Sequence, residues 1–314
     1  MKNNYHQIID ANINRVTEGL RVIEEYTRFL SLQKKLTDQL AQLRKEISQT
    51  EKEYLQDLLS RGTDVRAAEP PPQRKDLETL LRANFKRVEQ GLRVLEEYTG
   101  NPFYTKKRFE VYALEKEILL SLQKKIIKPG VYLISDDEKI IEQGLKWKVS
   151  AIQLRDKKSS KKVILQKALR IQEKAKKVGI PLIINDYIDI ALACDADGFH
   201  SGQDDIPIQQ IRNILGPHKI IGRSTHILRE GIHAQKQGAD YIGIGPIWST
   251  VSKPEYKAIG FDYLKKAKDQ ITIPYVAIGD INFVHMQEIA SFNPPLVALI
   301  RAYKDIPEIQ KKYF

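Results

Sequence analysis

The sequence predicts an α/β protein, a (β/α)8 TIM barrel preceded by a small all-α domain. Three observations carry that reading. Through the first 125 residues Leu, Ile and Val recur at three- and four-residue spacing among Glu, Lys, Gln and Arg, the period of an amphipathic helix. The period becomes strand-like directly after Lys128-Pro129-Gly130, where proline and glycine end a helix and open a turn. Beyond that point eight short apolar runs alternate with amphipathic segments, as eight strand-helix units require. At 314 residues the chain is long enough to bury a barrel core and a second, smaller core. The expected domains are residues 1–125 and 126–314.

The helical domain contains an internal repeat, Ala11–Thr27 returning as Ala83–Thr99. Each copy has one apolar stripe: Val16, Leu20 and Ile23 in the first, Val88, Leu92 and Leu95 in the second. Gly19 and Gly91 let another backbone come close, at about 1 kcal/mol of intrinsic helix propensity. Two similar helices packed across a pseudo-two-fold axis follow from the pattern. Between the copies, Arg61–Glu69 and Pro70-Pro71-Pro72 break the helical period and form an extended connection. Arg15, Arg21, Glu24 and Glu25, with Arg87, Arg93, Glu96 and Glu97, fit a network of surface and inter-helix ion pairs. A ligand site on the symmetry axis is the sharper alternative.

The strands expected after Gly130 are Val131–Ser135, Ala151–Arg155, Pro181–Asn185, Gly198–Ser201, Ile220–Ser224, Tyr241–Gly245, Pro274–Gly279 and Leu296–Arg301. Amphipathic segments such as Lys161–Val178 and Ile206–Leu215 cross over between them as helices. An open doubly wound sheet is the alternative, but no dinucleotide-type glycine fingerprint follows the first strand.

Composition excludes several classes. No apolar run approaches the roughly 18 residues that span a bilayer, and Met1–Tyr5 lacks the apolar core of a signal peptide, so a cytoplasmic protein without a membrane partner is expected. A single cysteine, Cys194, excludes an internal disulfide framework and a cysteine-rich zinc site. The balance of 51 basic against 40 acidic residues gives a net charge of +11. The excess is dispersed, in clusters such as Lys157-Lys158 with Lys161-Lys162 that sit on helix starts or solvent faces without interleaved aromatics, so nucleic acid is not expected as a partner. A homo-oligomer is compatible with the sequence.

In a barrel of this kind the residues leaving each strand at its C-terminal end carry the chemistry. The second strand ends in Gln153-Leu154-Arg155-Asp156-Lys157, where alternation turns Gln153 and Arg155 to one side. Arg155 and Lys157 offer a bidentate fork and a point charge suited to phosphate. The third strand ends in Asn185-Asp186, which could also cap the helix that follows. The fourth leads through His200 to Asp205. These acidic and amide groups outline a hard-cation site suited to Mg²⁺. Ser224 leaves the fifth strand with Thr225 and His226. The sixth is followed by Thr250, Ser252 and Lys253, two hydroxyls and an ammonium that could close over phosphate oxygens. Gly279 and Arg301, after the seventh and eighth strands, occupy the position where many barrels bind phosphate. Two anion sites flanking one metal site imply two phosphorylated substrates.

At these motifs, together with Ala196–Asp205 and Gly245–Lys253, the chain resembles the thiamine phosphate synthase family over roughly residues 129–304. The N-terminal segment resembles an extension of some bacterial members. The resemblance implies a transferase of thiamine biosynthesis. It would condense 4-amino-2-methyl-5-(diphosphomethyl)pyrimidine with 4-methyl-5-(2-phosphoethyl)thiazole, plain or carboxylated, to thiamine phosphate and pyrophosphate by a dissociative path. It implies that Asp186 and Asp205 hold Mg²⁺, and that Arg155, Lys157, Asn185 and Lys253 bind the diphosphate. Gln153 and Ser224 would contact the pyrimidine, with His200 a wall of that pocket, and Thr250 and Ser252 the thiazole phosphate. Two positions depart from the family: Asp280 stands where a second glycine is usual, and Arg301 where a serine is frequent. Arg301 is expected to neutralise Asp280 or to take over phosphate binding. A thiazole tautomerase, which shares the barrel but lacks the diphosphate and metal apparatus, and a non-catalytic ligand-sensing barrel are the alternatives.

Overall fold

A computed structural model describes residues 5–31, 33–50, 74–122, 124–250 and 256–314. The chain divides into two compact units, Met1–Leu122 and Gln123–Phe314. The expected extended connection over Arg61–Pro72 lies outside the described residues.

In the first unit α1 (His6–Glu25) continues through one π turn, Tyr26–Leu30, and is followed by α2 (Lys34–Thr50), α3 (Leu77–Thr99) and α4 (Pro102–Leu122). The Asp76 carboxylate accepts from Thr79 N at 2.7 Å to cap α3, and Gly100, at φ 64°, ends it. The two repeats are α1 and α3, packed reciprocally. A Cβ on Gly19 would lie 2.7 Å from Val88 Cγ2, and one on Gly91 would lie 2.6 Å from Val16 Cγ2, so each glycine receives the other helix's valine. Both predicted stripes are fully buried. The polar residues of the repeat form ion pairs: Arg21 to Glu25, Arg44 to Glu24, and Arg93 and Arg108 to Glu96.

The second unit is a closed barrel of eight parallel strands in chain order. Its strands are β1 (Gly130–Ser135), β2 (Ala151–Leu154), β3 (Leu182–Asn185), β4 (Gly198–Ser201), β5 (Ile220–Thr225), β6 (Tyr241–Ile244), β7 (Tyr275–Ala277) and β8 (Leu296–Leu299). Crossover helices include α5 (Glu138–Lys146), α6 (Lys161–Val178), α7 (Ile188–Ala193) and α8 (Ile208–Leu215). β1, β3 and β4 end where expected and β5 runs on to Thr225, whereas β2, β6, β7 and β8 end at Leu154, Ile244, Ala277 and Leu299, sooner than expected. β7 stops before Gly279, where Gly279 (φ 119°) and Asp280 (φ 52°) turn the chain out of the sheet, and β8 stops before Arg301. Alternation gives two cores. One lies between strands and helices, and the other fills the barrel interior with Tyr132, Ala151, Ile183, Ile220, Tyr241, Val276 and Leu296.

Two lysines assigned by sequence to the helical domain make their contacts on the barrel. Lys124 pairs with Asp240 at 2.8 Å, and Lys125 with Asp197 at 3.0 Å. Both carboxylates also tie strands together, Asp240 by accepting from Ile221 N and Asp197 by accepting from Leu182 N. Among the described residues no helix is long and apolar enough to cross a membrane.

Candidate functional site

At the C-terminal strand ends lies a cavity of about 340 Å³ whose wall includes Gln153, Arg155, Asn185, His200, Ser224, Thr250, Gly279 and Arg301. Seven different strands or strand-end loops bring those residues together, and parallel pairing of the strands makes positions apart in the chain neighbours. Asn185, for example, stands opposite His200 in the register of β3 and β4. Lys157, Asp186 and Asp205 do not line this cavity. Ser252 and Lys253 lie outside the described residues.

The loop after β2 is fixed from below. Asp156 is buried, accepts from Lys158 N and Ser159 N at 3.0 Å, and pairs with Lys167 on α6 at 2.7 Å. Burial by itself would raise the Asp156 carboxyl, but the Lys167 ammonium and the loop N–H groups outweigh it and hold the group well below the usual carboxylate range. Arg155, which lines the cavity, and Lys157, which does not, stand on either side of this anchor. Lys157 Nζ lies 3.3 Å from Asp186 Oδ2. Asp186, at φ 63°, donates its N–H to His200 O at 3.0 Å, and α7 begins after Tyr187 without a side-chain cap. The capping role open to Asn185 and Asp186 is therefore not taken.

Asp205 Oδ2 accepts from Gly202 N at 2.6 Å, closing the turn after β4. Arg223, buried on β5, braces the same loop by donating to Gly202 O and, at 2.8 Å, to Ile206 O. Its pKa is pulled down by burial, against the Asp205 carboxylate. Asp186 and Asp205 are thus two carboxylates following adjacent strands. Among the described residues no group of three or more His, Cys, Asp or Glu is gathered. Their carboxylate oxygens are hard donors, the kind of ligand that Mg²⁺ takes.

On the opposite wall a Cβ on Gly279 would lie 2.5 Å from Ile247 N and 2.6 Å from Pro246 Cα, so only glycine lets these two loops meet. Arg301 Nη2 pairs with Asp280 Oδ1, and the Asp280 backbone carbonyl accepts from His285 Nδ1 at 2.7 Å. The His285 ring stacks on Trp248 with centroids 4.0 Å apart.

The floor holds residues that sequence reasoning missed. Tyr132 and Tyr241 are buried inside the barrel with their hydroxyls 2.7 Å apart, linking Gln153 on one side to His200 on the other. Burial raises both phenols well above their ordinary pKa, so they remain neutral. In the sequence they occupy inward positions of apolar strands and look like ordinary core aromatics. Cys194 is buried, and burial pushes its thiol up to about 11, as befits an inert core residue.

Residues 126–303 match the thiamine monophosphate synthase family, and residues 7–117 match the ThiD2 family. The thiamine-phosphate synthase of Thermosynechococcus vestitus is 37% identical over 94% of this chain and 89% of its own length. That of Synechocystis is 36% identical over 94% of this chain and 90% of its own length. Both relatives thus span the helical unit as well as the barrel. Among solved structures, the thiamine phosphate pyrophosphorylase from Pyrococcus furiosus superposes with a TM-score of 0.54 at 29% identity, covering 60% of this chain and 96% of that one.

Proposed function

The chain belongs to the thiamine monophosphate synthase family, and from that premise we propose that the cavity at its C-terminal strand ends is the active site, with Mg²⁺ held by Asp186 and Asp205. The enzyme condenses 4-amino-2-methyl-5-(diphosphomethyl)pyrimidine with 4-methyl-5-(2-phosphoethyl)thiazole, giving thiamine phosphate and pyrophosphate. The observation that carries the site assignment is the convergence of Gln153, Arg155, Asn185, Ser224, Thr250 and Gly279 on one cavity. Phosphorylated substrates of this kind suit a cytoplasmic enzyme. The readings as a tautomerase or a ligand-sensing barrel gain no support from this site.

Departure of diphosphate needs no general base. It needs cationic and N–H groups preorganised around oxygens whose charge grows in the transition state. Arg155, presented by the Asp156 anchor, and Asn185 face the cavity for this purpose, and Lys157 stands beside Asp186 at 3.3 Å, where a bound diphosphate would draw its ammonium away. Lys253 is assigned to the same group by its sequence position. Mg²⁺, when bound, supplies charge neutralisation on the leaving oxygens. Gln153 and Ser224 hold the pyrimidine ring so that its methylene carbon faces the thiazole nitrogen, which captures the cation left by diphosphate. Gly279, Thr250 and Ser252 bind the thiazole phosphate. Arg301, already paired with Asp280, neutralises that carboxylate and turns its remaining N–H groups to the phosphate.

The test is Mg²⁺-dependent thiamine phosphate formation by the full chain. Arg155→Ala and Lys157→Ala are expected to lower kcat on the order of 10² to 10³, and Arg301→Ala to raise KM for the thiazole phosphate while leaving KM for the pyrimidine in place. Near-wild-type turnover in both cation variants would sink the diphosphate assignment, and an unchanged thiazole KM would remove Arg301 from it.

A further inference from the structure

Five side chains form one continuous hydrogen-bonded chain across the floor of the cavity. Gln153 Nε2 donates to Tyr132 Oη at 3.0 Å, and Tyr132 Oη lies 2.7 Å from Tyr241 Oη. Tyr241 Oη is 2.8 Å from His200 Nδ1, and His200 Nε2 is 2.9 Å from Ser224 Oγ. The five come from strands β1, β2, β4, β5 and β6, and all five line the cavity. Space is made for the chain. A Cβ on Gly222 would fall 2.2 Å from Tyr241 Cζ and 2.5 Å from its hydroxyl oxygen, so β5 gives up a side chain where the phenol crosses. A barrel interior needs no polar group there for packing; apolar residues of the same volume would fill it without the desolvation of four polar groups.

A chain of hydroxyl and imidazole groups has a direction, because each link holds one hydrogen. With Gln153 donating to Tyr132, the sequence that satisfies every member runs Tyr132 to Tyr241, Tyr241 to His200 Nδ1, and His200 Nε2–H to Ser224 Oγ. Ser224 is then a donor to the cavity, and Gln153 offers its carbonyl oxygen as an acceptor. Turning the Gln153 amide reverses every link at once: Gln153 becomes a donor and Ser224 an acceptor. The two ends are therefore coupled through the phenols. An aminopyrimidine edge carries an N–H donor beside a ring-nitrogen acceptor and is met by the first polarity. Its 4-oxo counterpart carries an acceptor beside an N–H and needs the second.

We propose that Tyr132 and Tyr241 are positioning residues that lock Gln153 and Ser224 into the first polarity, so that the enzyme reads the amino and ring-nitrogen groups of the pyrimidine jointly and rejects the 4-oxo pyrimidine. The proposal rests on the placement of the pyrimidine between Gln153 and Ser224. Burial keeps both phenols neutral, so neither Tyr132 nor Tyr241 gives up its hydrogen in the working pH range.

The experiment measures kcat and KM for the amino and the 4-oxo pyrimidine diphosphates at saturating thiazole phosphate, in the wild type, Tyr132→Phe and Tyr241→Phe, together with the ¹⁵N spectrum of the His200 ring. The wild type is expected to favour the amino substrate by about 10² or more. Each Phe variant is expected to lose about 10- to 100-fold of that preference, through KM for the pyrimidine, with KM for the thiazole phosphate unchanged. His200 should carry its proton on Nε2 in the wild type and become a mixture of tautomers in Tyr241→Phe. Preference retained in both variants, or a wild-type His200 protonated on Nδ1, overturns the proposal. Should Tyr241→Phe fail to fold, Tyr132→Phe and the wild-type spectrum decide. A wild type without preference refutes the pyrimidine placement itself, a result distinct from failure of the relay.

Discussion

In the helical unit Asn12 and Asn84 turn their amides back onto the carbonyls one turn earlier, Ile8 at 2.7 Å and Leu80 at 2.8 Å, and Thr27 does the same with Glu24 at 2.9 Å. In the barrel the buried polar chain from Gln153 to Ser224 joins residues 21, 109, 41 and 24 positions apart and both its ends reach the cavity. The first arrangement satisfies these donors along their own stretch of chain; among the described residues a few polar groups, such as Glu24 paired with Arg44, reach a neighbouring helix, and the apolar stripes hold α1 against α3. The second makes five strands depend on one another for the satisfaction of a few groups. Polar burial that closes on itself locally is a device of stability. Polar burial that spans the fold and opens onto a cavity is a device for holding a ligand.

Paired glycine substitutions test this difference, since each unit has a glycine on which its packing turns. The largest effect is expected for Gly222→Ala. The new methyl would collide with Tyr241, whose hydroxyl is held by Tyr132 and His200, so the ring cannot retreat without breaking a buried bond. Overpacking of about 1–3 kcal/mol plus an unsatisfied buried group of about 1–3 kcal/mol should lower the barrel's unfolding transition and kcat/KM together. Gly91→Ala places its methyl 2.6 Å from Val16 Cγ2, but there the clash is opposed by about 1 kcal/mol gained in helix propensity. A net loss of about 1 kcal/mol is expected, recovered by Val16→Ala in the same chain, with kcat/KM unchanged. Equal losses of activity in the two single variants would erase the distinction between the units.

The same contrast explains what could be seen in the sequence. Alternating apolar runs bounded by proline and glycine marked all eight strands to within a few residues, and the repeat's glycines and valines marked the packed helix pair, because both signals are local and periodic. Arg155, Asn185, Ser224 and Gly279 were visible as polar or conformationally special residues at strand ends. Tyr132 and Tyr241 were not, since an aromatic at an inward strand position reads as core until the closed barrel shows that their hydroxyls meet. The anchoring of the β2 loop by Asp156 and Lys167 was hidden in the same way, in a pairing across eleven residues. The contacts of Lys124 and Lys125 with Asp240 and Asp197 cross 116 and 72 positions, which no local pattern reports.

The smallest expected effect sharpens the comparison from the charged side of the helical unit. Glu115 on α4 has its carboxyl pushed up to about 7, first by burial and then by the hydrogen bond and charge it shares with Glu89, against the opposing charges of Arg82 and Lys86. A carboxyl whose folded pKa lies above its unfolded value of 4.5 binds its proton more tightly in the native state. Its stabilisation is complete below about pH 4.5 and is lost as the pH rises through about 7. Carboxylates shifted the other way, such as Glu46 beside Lys107, finish titrating below that window. The stability of the helical unit should therefore fall between pH 5 and pH 7.5, a modest change because Glu115 is only partly shielded from solvent. Glu115→Gln removes the titrating group while keeping a hydrogen-bonding partner for Glu89. Denaturation midpoints of the full chain at the two pH values are expected to converge in this variant and to differ in the wild type; the same slope in both would show that the Glu89 and Glu115 pair does not share a proton and that the helical unit's polar groups are as inert to pH as the buried phenols of the barrel.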